Sequence, residues 1–294
     1  MDQAVRGLAR WAWACALVTT WSVGQAQEVP VVPVPAVGHE HRREQETAVI
    51  RAHHLSRLQT RLTVEPAVLR EGCRYESEIA THPPHKKVVL TFDDGPEPGQ
   101  TEHILAVLKK HDIQATFFLV GHKARQYPEL VSQIQESGQH IVANHSWDHP
   151  NFHDLSVADQ AAEVTKTDAV LAPLSSLKLF RYPYGNSSCE TNALLRNMGY
   201  KIVGWHVDTC DWAFDHDGSV DDKEALSCGV LAPFRKDFVG HVLASARAHN
   251  GGIVLMHEIH PNTLKKLDDI VMRLKEEGFS FAPLTDEGFA NSMR

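Results

Sequence analysis

From Lys86 to the C-terminus, short β-branched or aromatic runs alternate with helical stretches, and this alternation restricts the fold more than any other feature of the chain. Seven runs read as strands: Lys87 to Phe92, Ala115 to Val120, His140 to Asn144, Lys178 to Tyr182, Lys201 to Val207, Gly252 to His257 and Phe279 to Leu284. Between them, apolar residues recur at three- and four-residue spacing near 101–111, 128–137, 156–171, 191–198, 237–249 and 261–277, the period of a helix with one buried face. Gly138, Gly199 and Gly278 each follow such a stretch, where a left-handed cap is expected. Strand then helix, repeated, implies an α/β fold with a parallel sheet and right-handed crossovers, either open or closed into a barrel. No G-x-G-x-x-G follows the first strand, so a dinucleotide fold has no positive support. The segment 213–236 breaks the rhythm and is longer than a usual connection.

The part before Lys86 reads differently. Arg6 and Arg10 precede an uncharged run from Trp11 to Val23, which is too short to span a bilayer and ends in Gly24-Gln25-Ala26. Residues 1–26 therefore read as a cleaved signal peptide, and the mature chain as secreted or periplasmic. Residues 27–38 are rich in Val and Pro and suggest an extended linker, while His39 to Leu62 fits a polar helix. Together 27–85 read as a linker and N-terminal extension ahead of the main domain at 86–294. No later segment is apolar and long enough for a membrane span. A formal net charge of −8 speaks against nucleic acid as a partner. Beyond the leader lie Cys73, Cys189, Cys210 and Cys228, an even number for a compartment where disulfides persist. Three pairings are open; Cys210 with Cys228 is favoured because both flank one irregular segment.

Unusual polar clusters fall at the C-terminal ends of five of the strands. In a parallel barrel those ends meet on one face, where catalytic groups gather. Asp93-Asp94-Gly95-Pro96 leaves the first strand with two adjacent carboxylates, which repel unless a cation lies beside them. His145-Ser146-Trp147-Asp148-His149-Pro150 places two imidazoles four apart, close enough in a helical turn to bind one ion from the same side. With one carboxylate they make a set that leaves coordination positions open for water and substrate, the mark of a catalytic metal. Arg181-Tyr182-Pro183-Tyr184-Gly185 offers a guanidinium to orient a carboxylate, and a backbone N–H at Tyr184 to meet an oxyanion. Asp208-Thr209-Cys210-Asp211-Trp212 ends in a tryptophan suited to a sugar-stacking or acyl-lining wall. Leu255-Met256-His257-Glu258 closes the series. Singly, each has an ordinary explanation: a turn, a chance pair among nineteen histidines, a surface arginine, a core histidine. Five in order along one domain do not.

The set TFDDG, HSWDHP, RYPYG, DTCDW and LMHE resembles the five motifs of the polysaccharide deacetylases, also called NodB-homology or carbohydrate esterase family 4 enzymes, over about residues 86–288. The resemblance implies a distorted (β/α)7 barrel, in keeping with the seven strands counted independently. It implies that Asp93 is the catalytic base and that Asp94, His145 and His149 hold one divalent metal, zinc foremost, with cobalt or manganese as alternatives. It implies further that Arg181 holds Asp93, that the Tyr184 N–H meets the oxyanion, that Asp211 pairs with a general acid at His257, and that Trp212 and Leu255 line the acetyl-methyl pocket. The chain departs from the family pattern at Tyr182, where proline is frequent, at Met256, bulky beside the acid, and at Cys210.

These residue types suit amide hydrolysis. An amine anion leaves poorly, so a proton must reach nitrogen, which favours an N-acetyl substrate; an O-acetyl ester needs the acid less. The expected activity is removal of N-acetyl groups from N-acetylglucosamine-type residues of a polysaccharide, with peptidoglycan ahead of chitin oligomers, exopolysaccharide or acetylated xylan. Two other readings compete: a catalytically silent glycan-binding protein, and a zinc-buffering protein suggested by further histidines such as His53, His54, His82 and His85, which read as surface residues.

Overall fold

The computed structural model describes Cys73, Tyr75, Glu76 and residues 79–294 apart from Gln139, Ser176 and 215–217. The expected signal peptide at 1–26, the linker at 27–38 and the helix at 39–62 lie outside the described residues.

Eight parallel strands form one curled sheet: β1 (Lys87–Gly95), β2 (Thr116–Leu119), β3 (Ile141–Asn144), β4 (Leu179–Phe180), β5 (Lys201–Ile202), β6 (Val207–Asp208), β7 (Gly251–His257) and β8 (Ser280–Phe281). Their spatial order is β5-β4-β3-β2-β1-β7-β6, with β8 beside the start of β1. The helices between them are α1 (Gln100–His111), α2 (Gly121–Gln126), α3 (Pro128–Glu136), α4 (Val157–Leu171), α5 (Cys189–Asn197), α6 (Asp211–Phe214), α7 (Asp222–Cys228), α8 (Phe238–His249) and α9 (Pro261–Glu276). This is the distorted (β/α)7 barrel. Among the described residues no helix is long and apolar enough to cross a membrane.

The one strand expected over Lys201 to Val207 is two short strands at opposite edges of the sheet. β5 pairs with β4 and β6 pairs with β7, so a single extended segment reaches from one edge to the other and curls the sheet toward closure. Its middle leaves the ladder because its carbonyls are claimed elsewhere. Val203 and Gly204 accept from the Arg181 guanidinium at 3.2 and 3.0 Å, and Trp205 accepts from the Ile79 amide at 2.9 Å. A buried side chain thus replaces a neighbouring strand, satisfying backbone groups that would otherwise be orphaned. The short helices α2, α6 and α7, absent from the sequence reading, are too brief to show an apolar period; α6 and α7 occupy part of the irregular stretch. Gly199 and Gly278 take the expected left-handed φ of 78° and 79°. Gly138 does not; it is held to glycine by crowding, since a Cβ there would meet the His140 ring at 2.8 Å.

Alternation along β1 sets up the site. Val88, Leu90 and Phe92 point outward into the main apolar core, while Val89 points inward to pack with Phe118, Ala143, Val203 and Ile253. With a period of two, Thr91 and Asp93 continue the inward face up to the mouth. Met256 on β7 belongs to the outer core with Phe92, so its bulk does not narrow the groove. Cys210 pairs with Cys228, as expected from their positions, and Cys73 pairs with Cys189.

Candidate active site

The ends of β1 and β7 lie side by side, with Asp93 paired in register to His257. Beyond Asp93 the β1 register shifts, and Asp94 takes a left-handed φ of 72°, which turns the second carboxylate away from the first. The two carboxylates share His145, whose Nε2 is 3.6 Å from Asp93 Oδ2, and differ in their other partners. Asp93 Oδ1 accepts from Arg181 Nη1 at 2.8 Å, whereas Asp94 Oδ1 lies 3.5 Å from His145 Nε2 and 3.2 Å from His149 Nε2.

The two histidines are not on a helical turn as the spacing suggested. Residues 145–150 form a loop in which Ser146 and His149 both have left-handed φ, 70° and 56°, and this doubles the chain back so that the two rings stand 4.9 Å apart. The loop is held from two sides. Amides of Gly121 and His122 at the start of α2 donate to the carbonyls of Ser146 and Trp147, and Glu163 Oε2 on α4 accepts from the amides of Trp147 and Asp148 at 2.9 Å each. Glu163 escaped the sequence reading because it lies far along the chain in an ordinary helical stretch.

The donor set fits a metal. His145 Nδ1 donates to the Arg181 carbonyl at 2.8 Å, which orients the ring so that Nε2 faces the two carboxylates, 3.5 Å from Asp94 Oδ1 and 3.6 Å from Asp93 Oδ2. Burial, aided by His145, pushes His149 down to about 4, so its ring is neutral at physiological pH, as a ligand must be. Asp94 Oδ1 is buried and takes no hydrogen bond among the described residues. Burial opposes its charge, but the nearby imidazoles of His145, His257 and His149 prevail and hold Asp94 below the usual carboxylate range. The three ligand atoms lie within 4.8 Å of one another. A buried, unsatisfied carboxylate oxygen beside two imidazole nitrogens is a place for a cation.

Across the site, Asp211 is completely buried and saturated. Its Oδ1 accepts from His257 Nδ1 at 2.7 Å and the Trp212 amide at 3.0 Å, and its Oδ2 from the His257 amide at 2.7 Å and Thr263 Oγ1 at 2.6 Å. These donors, with the His257 charge foremost, outweigh burial and keep the Asp211 pKa low. Burial disfavours the His257 cation, yet the Asp211 charge, followed by Asp94 and Asp93, pushes it up to about 10.

Arg181 has no exposed surface and donates from all three of its guanidinium nitrogens. Besides Asp93 it donates to Thr91 Oγ1 at 2.8 Å and to the two carbonyls of the crossing segment, with its charge 4.1 Å from the centre of the Phe118 ring. Thr91, whose own hydroxyl donates to the Val254 carbonyl, is a further support that no motif signalled.

Asp93, Asp94, His145, His149, Tyr184, Trp212, Leu255 and His257 all line one cavity of about 560 Å³. Arg181 and Asp211 lie behind it, gripping Asp93 and His257 respectively. Tyr184 is left-handed, with φ 57°, and its exposed ring meets His149 edge-on at 4.8 Å. Trp205 and His260 complete the wall without having been anticipated; the His-x-x-His spacing of His257 and His260 was the available signal. His82 and His85 are exposed, as expected; His53 and His54 lie outside the described residues.

The polysaccharide deacetylase family matches residues 80–203. A peptidoglycan-N-acetylglucosamine deacetylase, PgdA of Listeria monocytogenes, is 33% identical over 211 residues, covering 71% of this chain and 40% of the relative. The chain belongs to the polysaccharide deacetylase family. Among solved structures, this deacetylase-family chain resembles the peptidoglycan N-acetylglucosamine deacetylase Bc1960, with a TM-score of 0.59 and 29% identity over 71% of this chain and 91% of that one. It also resembles BA3943 of Bacillus anthracis, a pseudoenzyme of the same family, with a TM-score of 0.57 and 28% identity over 70% of this chain and 66% of that one. Against the Listeria relative, the deacetylase-family chain spans less than half the partner's length.

Proposed function

We propose that the chain is a metal-dependent hydrolase that removes N-acetyl groups from N-acetylglucosamine-type residues of peptidoglycan, acting in the periplasm or outside the cell. One observation carries the reading: Asp93, Asp94, His145, His149 and His257 stand around a single cavity, with Asp93 and His257 each held by a buried partner.

Asp94, His145 and His149 would hold the cation, zinc first. When bound, a divalent cation lowers the pKa of water and polarises a carbonyl. Asp93, fixed by Arg181, accepts the proton of the attacking water. The Tyr184 N–H meets the acetyl oxygen as charge develops on it. His257, charged through Asp211, delivers the proton that lets the amine leave. Trp212 and Leu255 wall the acetyl methyl. A silent glycan-binding protein is disfavoured, since no member of the set is missing or displaced.

The names of the Listeria relative and of Bc1960 support peptidoglycan as the substrate. Two disulfides and relatives that act on the cell wall support a place outside the cytoplasm. The test is to incubate the zinc-loaded protein with peptidoglycan, chitin oligomers and acetylated xylan, following acetate release and product mass. Acetyl loss from peptidoglycan that stops on chelation and returns with metal is expected. Release that survives thorough chelation, or none from any of the three glycans, overturns the reading.

A further inference from the structure

The chain ahead of β1 reaches the motif that carries Tyr184. Tyr184 is left-handed and its ring is exposed, so its backbone is held through its neighbours. Cys73, Tyr75 and Glu76 run antiparallel to residues 185–189 and supply that hold. The Glu76 amide donates to the Gly185 carbonyl at 2.8 Å, and Tyr75 pairs with Asn186. Ser187 Oγ donates to the Cys73 carbonyl at 2.6 Å, and Cys73 is joined to Cys189. The buried Glu76 carboxylate grips the same motif from its other flank. Its Oε1 accepts from Asn192 Nδ2 at 3.0 Å, and Asn192 Oδ1 accepts from the Tyr182 hydroxyl at 2.7 Å. Arg294 Nη1 lies 3.3 Å from both carboxylate oxygens. Tyr182 lines the cavity and is one of the chain's departures from the family pattern; a proline there could make no such bond.

We propose that Glu76 is a positioning residue for the deacetylation and that, with Cys73 and Tyr75, it braces the turn that presents the Tyr184 N–H to the developing oxyanion. The effect on turnover rests on the reading of Tyr184 as the oxyanion donor; the brace itself does not. A residue other than glycine keeps a left-handed φ, here 57°, only where its surroundings over-determine it. Glu76 does so on both sides of Tyr184, through its amide on Gly185 and through Asn192 on Tyr182. It is not among the residues that line the cavity, so it acts through the turn and not on the substrate. An N–H that meets the acetyl oxygen as charge develops is worth most in the transition state, and only when it lies within hydrogen-bond reach of that oxygen. A turn free to relax therefore loses turnover while substrate binding stays.

The test compares wild type, Glu76→Ala, Glu76→Gln and Tyr182→Phe as full chains loaded with one equivalent of zinc. Two quantities are followed: acetate release from soluble peptidoglycan fragments, and amide hydrogen exchange over residues 182–188 by mass spectrometry. Glu76→Ala should keep its zinc and its KM, lose about 10- to 10²-fold in kcat, and exchange faster over 182–188 with β1 and β7 unchanged. Glu76→Gln, whose side-chain oxygen still accepts from Asn192, should recover most of the kcat and of the protection. Tyr182→Phe, which removes one hydroxyl, should show the pattern of Glu76→Ala on a smaller scale. Should Glu76→Ala fail to fold, Tyr182→Phe and the double variant Cys73→Ser, Cys189→Ser carry the same expectation. Exchange over 182–188 that matches wild type overturns the proposal, as does an unchanged kcat in an active enzyme, or a Glu76→Gln protein as slow as Glu76→Ala. Faster exchange over 182–188 in the variants, with no acetate released from any glycan by wild type, would sink the deacetylase reading alone and leave the brace standing.

Discussion

Two clusters of histidine and carboxylate share one cavity and are made from the same residue types, yet their surroundings are opposite. Asp94 presents a buried oxygen with no donor, and burial pushes its neighbour His149 down to about 4. Asp211 is filled by four hydrogen bonds, and its charge pushes His257 up to about 10 against the pull of burial. A buried carboxylate left unsatisfied favours a cation, and a satisfied one beside a charged ring favours a proton donor, which is the division of roles proposed above. On the proposed reading, what separates ligand from acid is who completes the carboxylate.

The contrast is broken most severely by removing the cation's carboxylate. Asp94→Asn should abolish tight zinc binding and bring acetate release to background, while thermal unfolding and circular dichroism stay close to wild type. Next in size is His257→Ala. It should keep the tight zinc and lose about 10²- to 10⁴-fold in kcat on an N-acetyl substrate, with a smaller loss on an O-acetyl ester, whose leaving group needs the proton less. An equal loss on both substrates would remove the acid role from His257.

Asp211→Asn sharpens the comparison through pH. As the proposed acid, His257 acts in its protonated form, and its pKa is raised, so activity is expected below the folded value and lost as pH rises through about 10. A cation at Asp94 offsets part of the negative charge that supports the raise, placing the limb of the loaded enzyme below that value. Without the Asp211 charge, the alkaline limb of the kcat profile should move down by about 1–3 pH units. The linked stability has the same sign: the His257–Asp211 contribution is complete below the free-imidazole value of about 6.5 and fades as pH climbs through the raised one. The smallest effect is expected at Glu163, which touches no ligand but caps the amides of Trp147 and Asp148. Glu163→Ala should weaken zinc by about 10-fold, measured by competition with a chelating dye, and leave His257→Ala no worse when the two are combined at saturating metal.

Sequence periodicity alone located every long helix among the described residues and placed the five polar clusters at strand ends, because burial imposes a repeat of two or 3.6 residues that survives in one chain. It failed where the backbone is satisfied by distant side chains. Lys201 to Val207 looks like one strand, and nothing local reveals that Arg181 claims its middle carbonyls. The histidine pair looked helical since four-residue spacing is helical by default, while the actual loop depends on left-handed Ser146 and His149 and on Glu163 from another element. Ligands were legible as residue types in motifs; their supports, Thr91, Glu163 and Thr263, are common residues whose importance lies in what they touch.

The division of labour between the clusters can be measured in one experiment. His149→Ala and His257→Ala, each dialysed against one equivalent of zinc, are compared for bound metal and for acetate released from peptidoglycan. The account predicts that His149→Ala loses both metal and activity, while His257→Ala holds its zinc and releases almost no acetate. Loss of zinc from His257→Ala, or undiminished acetate release by either protein, would contradict it.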